Sequence, residues 1–117
     1  MTAEPIRLVA TVTSLDHTAA PVITLEGELD PATAPVLDQT IDQLLGDGAT
    51  ELVIDMAGLS FVDSSGLRSL ISAHKRLAPN PLRLQRPTPF ARQLLAITGL
   101  DQQFVIEAAI DEVEADG

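Results

Sequence analysis

Apolar and polar positions along the chain fall into segments with two different periods. Residues 6–14 are β-branched and apolar in partial alternation, which predicts a first strand. Leu15–Ala20 is turn-like, and Pro21 opens a second strand that continues through Val22-Ile23-Thr24-Leu25 to Gly27. The two strands predict a hairpin. From Asp30 the period changes. Val36, Leu37, Ile41, Leu44 and Leu45 form one helical face, Asp30 is placed to cap that helix, and Pro31 suits its first turn. Gly46-Asp47-Gly48 stops it.

Residues 51–55, with Leu52-Val53-Ile54 at their centre, have the length and content of a third, buried strand. Leu67, Leu70, Ile71, His74 and Leu77 then recur at three- and four-residue steps, predicting a second helix over 64–77. Ala78-Pro79-Asn80-Pro81 breaks it, and residues 82–85 alternate as a fourth strand. Thr88 caps a third helix, Pro89 takes its first position, and Gly99 is a natural residue just past its end. Phe90, Leu94, Leu95 and Ile97 are expected to supply its buried face. Phe104-Val105-Ile106 reads as a last short strand, with one or two helical turns in 107–113. Strands alternating with helices predict an α/β domain, its helices packed on a sheet.

At 117 residues the expectation is a single domain, 1–117, with a core over about 6–110 and an acidic end at 111–117. Such a chain buries about two-thirds of its unfolded surface and needs no disulfide or metal. It has no cysteine, which excludes a disulfide scaffold, a cysteine nucleophile and thiolate metal sites, and suits a reducing compartment. The start shows no basic and apolar signal regions, and no apolar run reaches membrane-spanning length. A soluble cytoplasmic protein without direct membrane insertion is expected.

The net charge of −10 is unevenly placed. Residues 1–63 carry eleven carboxylates and one Arg; 64–100 carry six cations and no carboxylate; 101–117 carry six carboxylates and no cation. The basic middle is expected to be a solvated face. An acidic chain with three Phe and no Tyr or Trp repels phosphates and offers bases little to stack on, so no nucleic-acid partner is expected. A partner with a basic docking surface fits better.

The polar cluster Asp63-Ser64-Ser65-Gly66 sits where the third strand hands over to the second helix. Asp and Ser there can accept the orphan N–H groups of the first turn, and a phosphate on a hydroxyl would face the positive end of the helix dipole. As residues alone, the serines could be helix caps and nothing more. Other chemistry is poorly supported. His74 lies about 15 Å along the helix from Ser64, too far to serve as its base, and His17 falls in a distant turn. No nucleophile elbow, Walker loop, dinucleotide fingerprint or metal constellation is present. Asp30, Asp55 and Asp63 around Mg²⁺ can be imagined, but scattered carboxylates in an acidic protein usually face solvent. Neither an intrinsic enzyme activity nor a cofactor is expected.

Three blocks resemble one family in order and spacing. Residues 59–67, Leu-Ser-Phe-Val-Asp-Ser-Ser-Gly-Leu, resemble the phosphorylation loop of the STAS-domain anti-sigma factor antagonists. Gly27-Glu28-Leu29-Asp30 resembles the block after the family's second strand. Thr88-Pro89-Phe90 through Ile97-Thr98-Gly99-Leu100 resembles its third helix and the following turn. The resemblance implies the STAS fold, a mixed sheet of about four to five strands with three to four helices. It implies that Ser64 is the phosphorylated serine and that Asp30 and the loop residues Asp63, Ser64, Ser65 and Gly66 face the partner; Arg68, one helical turn from Ser64, is expected to join that surface. Asp63 would orient Ser64, Gly66 would let another backbone approach, and Arg68 could reach the phosphate. Arg68 stands where close relatives often carry Gly, and 78–81 is shorter than usual. The partner would be an anti-sigma factor with a serine-kinase fold, released by phosphorylation and reset by a serine phosphatase. The chain itself would be a monomer or weak dimer. The other role open to such a domain is a scaffold subunit of a membrane transport complex.

Overall fold

The computed structural model describes residues 7–14 and 20–107. Five strands form one mixed sheet in the order β1-β2-β3-β4-β5. They are β1 (Leu8–Thr13), β2 (Val22–Leu29), β3 (Val53–Val62), β4 (Arg83–Gln85) and β5 (Val105–Glu107). The helices are α1 (Ala34–Gly46), α2 (Ser64–Leu77) and α3 (Pro89–Thr98), followed by one 3₁₀ turn at Leu100–Gln102. The expected hairpin is present: β1 and β2 pair antiparallel, and the other neighbours are parallel. The predicted turn at 15–19, His17 included, and the predicted helical turns beyond Glu107 lie outside the described residues.

Helical and strand periods meet in one core. Ile23, Leu25 and Leu29 of β2, Ile54 and Met56 of β3, and Leu84 of β4 are fully or almost fully buried. Leu37 and Ile41 from α1 and Leu67, Leu70, Ala73 and Leu77 from α2 belong to the same buried cluster. Leu70 and Ile54 have no exposed surface, as the spacing of the apolar positions requires.

The structure departs from expectation at β3. The strand does not end at Asp55 but runs to Val62, so the whole of 56–62, directly before the Asp63 cluster, is strand. Val22 lies opposite Val53 and Leu29 opposite Val62, so β3 uses ten residues where β2 uses eight. Two register shifts absorb the difference, one near Gly58 and one near Ser60. A bulge of this kind resets which face a side chain points to. Buried Met56, Leu59 and Val62 therefore fall at three-residue steps, a spacing that does not read as a strand. Gly58 is required at the first bulge, since a Cβ there would lie 2.8 Å from the Leu25 carbonyl oxygen.

Two smaller corrections concern helices. α1 begins at Ala34, with Thr33 in the N-cap position and Pro35 in its first turn, instead of at Asp30-Pro31. In α3 the buried positions are Ala91 and Leu95; Phe90 and Ile97 are exposed and Leu94 is half-buried. The predicted apolar residues cover more than one face; the 91/95 line is buried, Leu94 packs against the core from its edge, and Phe90 and Ile97 face outward.

Leu70→Ala is expected to cost about 2–5 kcal/mol, as a filled core site with no exposed surface should. Chemical denaturation reads it, and an unchanged midpoint would refute the packing of α2.

Candidate functional site

The loop at the end of β3 is held from three sides. The Asp63 N–H donates to the Leu29 carbonyl at 3.1 Å, extending the β2–β3 pairing by one residue. Asp63 is the N-cap of α2, and its Oδ1 accepts from the Ser65 N–H at 2.8 Å and the Gly66 N–H at 3.4 Å. Gly66 seats the first turn of the helix on the strand ends. A Cβ there would lie 2.6 Å from Leu29 Cδ2 and 2.8 Å from Val62 Cγ2. Gly66 thus admits two side chains of its own core, and no foreign backbone is needed to explain it.

This leaves the two serines in different situations. Ser64 is exposed at the first position of α2, and among the described residues its hydroxyl has no hydrogen-bond partner. Ser65 is half-buried, and its carbonyl accepts from the Ser69 hydroxyl at 3.4 Å. Ser65, Arg68, Ser69, Ser72 and Arg76 of α2 line one wall of a groove of about 590 Å³. Pro31, Pro35, Asp38 and Asp42 line the α1 side, and the Arg76–Asp42 ion pair joins the two helices. No sequence pattern marks this groove, because its walls come from two helices whose packing no local period reveals. Ser65 and Arg68 lie in it; Asp30 does not.

Asp30 is 9% exposed and engaged inward. Its Oδ1 accepts from the Ala32 N–H at 3.0 Å and the Thr33 N–H at 3.1 Å, and its Oδ2 pairs with Arg7. Arg7 also bonds Glu28 at 3.0 Å, and chiefly through that contact it is held protonated more firmly than usual. Burial pushes the Asp30 carboxyl up, but the Thr33 amide, the Arg7 charge and the remaining hydrogen bonds outweigh it. The carboxyl therefore titrates below the ordinary carboxylate value. In place of a helix cap, Asp30 shapes the tight turn between β2 and α1.

Asp30, Asp55 and Asp63 are each engaged by partners of their own and form no shared metal site among the described residues. Asp55 is buried against Arg86 and the Ala57 N–H, Asp30 is buried against Arg7, and the half-buried Asp63 caps the amides of α2. Two of them are thus buried and ion-paired, not solvent-facing. No group of three metal-ligating side chains occurs among the described residues. His74 Nδ1 accepts from the Leu82 N–H at 3.1 Å, so that nitrogen is committed to joining α2 to β4. No helix among the described residues is long and apolar enough to cross a membrane.

A five-stranded mixed sheet with helices, and a capped polar loop between β3 and α2, define a STAS domain. The family described as Mlab, STAS domain, matches residues 13–107, and the chain belongs to the STAS domain family. It is 30% identical over 95 residues to the anti-sigma-F factor antagonist RsfB of Mycobacterium tuberculosis, covering 80% of this chain and 78% of RsfB. An anti-sigma factor antagonist from Mycobacterium paratuberculosis has the same fold, with TM-score 0.80, 28% identity, and 98% and 97% of the two chains covered. The Bacillus cell fate determinant SpoIIAA, also an anti-sigma factor antagonist, is 25% identical. Its unphosphorylated form superposes with TM-score 0.74 over 92% of this chain and 94% of that one, and its phosphorylated form with 0.69 over 92% and 97%.

Two predictions follow from this geometry. Gly66→Ala is expected to destabilise by about 1–3 kcal/mol through overlap with Leu29 and Val62. Urea unfolding checks it, and parental stability would show that the turn is not seated as described. Asp30, with its depressed folded-state value, contributes stability that is fully present above the ordinary 3.8 and is lost as the pH falls through the lower folded value. Asp30→Asn should therefore melt below the parent at pH 7, with the gap closing as the pH drops under about 3.8. A gap independent of pH would mean that the carboxylate charge contributes nothing.

Proposed function

We propose that this chain is an anti-sigma factor antagonist switched by a phosphate on Ser64. The observation that carries the reading is the Ser64 hydroxyl, exposed and without a hydrogen-bond partner among the described residues, on a loop whose backbone is pinned by Asp63 and by the end of β2, while Ser65 beside it is half-buried. A kinase can reach such a hydroxyl without unfolding anything. The phosphorylated and unphosphorylated forms of the similar SpoIIAA support a switch of this kind. Unphosphorylated, the surface around Ser64, Ser65 and Arg68 would bind an anti-sigma factor with a serine-kinase fold, and so free a sigma factor. Transfer of a phosphoryl group from ATP to Ser64 Oγ, with release of the hydroxyl proton, adds about −1.5 to −2 charges.

The fold can carry that charge, but only Arg68 is placed one helical turn away to meet it. The Ser65 and Gly66 amides already serve Asp63, so the helix end has less to offer than a bare N-terminus. Most of the added charge would be felt by the docked partner. A loss of roughly 3 kcal/mol there weakens binding about a hundredfold. A serine phosphatase would reset the surface. Asp63 would act by fixing the loop's first turn. Asp30 would enter docking through the β2–α1 turn it shapes, since its own carboxylate is engaged inward.

Ser64→Ala is expected to abolish phosphorylation by the cognate kinase and keep binding, giving a variant that holds the anti-sigma factor constitutively. Ser64→Asp should bind poorly, as a partial mimic of the phosphate. Ser65→Ala should remain a substrate. In vitro phosphorylation with site mapping, alongside binding of all three variants, decides the matter. Phosphate on Ser65 alone would overturn the assignment. If neither serine is modified and Ser64→Asp binds as the parent does, the switch is refuted. Co-purification with a transporter ATPase would then favour the scaffold role.

A further inference from the structure

The chain has three phenylalanines, and two of them lie at the surface. Phe61 and Phe90 are 42% and 51% exposed, and their rings stack with centroids 6.1 Å apart at 24°. The third, Phe104, is buried edge-on to His74. Ile97, 73% exposed, lies seven residues after Phe90 and so on the same flank of α3, with half-buried Leu94 between them. Together they form an apolar strip from the end of β3 along α3. The only charged side chain on α3 is Arg92.

The strip adjoins the Ser64 loop. Phe61 alternates with Val62, whose side chain meets the first turn of α2 at Gly66, so the Phe61 ring leaves β3 on the other side. Phe61 precedes Ser64 by three residues, a span of at most about 11 Å. A stable interface covers about 800 Å² per partner, a disc of roughly 16 Å radius. An interface that covers Ser64 therefore reaches Phe61, on which Phe90 is stacked. Phe is among the residues enriched at the centres of interfaces, where a few well-packed anchors carry most of the binding energy. A second copy of the chain is a poor occupant, because two molecules of net charge −10 repel each other.

We propose that the Phe61–Phe90 stack is the apolar anchor of the docking surface, seated against an apolar patch of the same anti-sigma factor that covers Ser64. The inference rests on the function proposed above and names the part of the surface that holds the partner, as distinct from the part that is switched. Ser64 then lies inside the same contact, beside its apolar anchor, where an added phosphate has to be desolvated or left without a partner.

The test uses the full chain and the kinase-fold anti-sigma factor from the Ser64 experiment, titrated by calorimetry. Phe90→Ala and Phe61→Thr should each weaken binding by about tenfold or more, with melting midpoints near the parent's. Val12→Ala, at a comparably exposed apolar position on the distant β1, should bind as the parent does. If both Phe variants are folded and bind as the parent does while Ser64→Asp still releases the partner, the anchor is refuted and the switch stands. If the parent itself does not bind, the function proposed above fails and the anchor falls with it. If the parent sediments as a dimer that Phe90→Ala dissolves, the strip belongs to a homodimer and the inference is overturned.

Discussion

The structure depends on how closely the start of α2 approaches the ends of β2 and β3. Gly66 sits where any side chain would collide with Leu29 and Val62, and the Asp63 amide is bonded to the Leu29 carbonyl. These contacts fix the direction of α2, and with it the line on which Leu67, Leu70 and Leu77 enter the core. They also decide which serine faces out. With the helix seated and Asp63 bound to the Ser65 and Gly66 amides, Ser64 is left exposed while Ser65 turns toward the groove. Packing and the geometry of the candidate site are thus one constraint seen from two sides.

Much of the fold was legible because it is written in local periods. α2 runs over the predicted 64–77, and α3 has its Thr88 cap and a left-handed Gly99, as composition and spacing indicated. β3 was half legible. Its first residues read as a buried strand, but the rest hid behind two bulges, which break alternation without ending the ladder. A one-dimensional pattern cannot tell a bulge from a loop, because the difference lies in whether a neighbouring strand is there to pair.

The candidate site was legible as a set of residues and less so as an arrangement. The cap at Asp63 follows from residue type and position, and the structure has it. The inward commitment of Asp30 does not follow, because its partner Arg7 lies 23 residues earlier in sequence. The same limit hid the α1–α2 groove and the Phe61–Phe90 stack, each made by elements far apart in the chain. Hydrophobic content placed Phe90 and Ile97 inside, yet only tertiary packing decides which flank of a short helix is covered.

Among the described residues β1 is an edge strand of the sheet, and its six residues, Leu-Val-Ala-Thr-Val-Thr, carry no charge and no proline. Strands of this composition at a sheet edge invite a further strand, and many proteins blunt them with a lysine, a proline or a kink. Here no such local guard stands on the strand itself. A net charge of −10 opposes edge-to-edge pairing all the same, because it repels copies at a distance before their edges meet. That defence is collective and weakens with salt, whereas a guard on the strand would act at contact. The carboxylates that leave this chain so unbalanced in charge thus act as its colloidal stabiliser, a role independent of any partner.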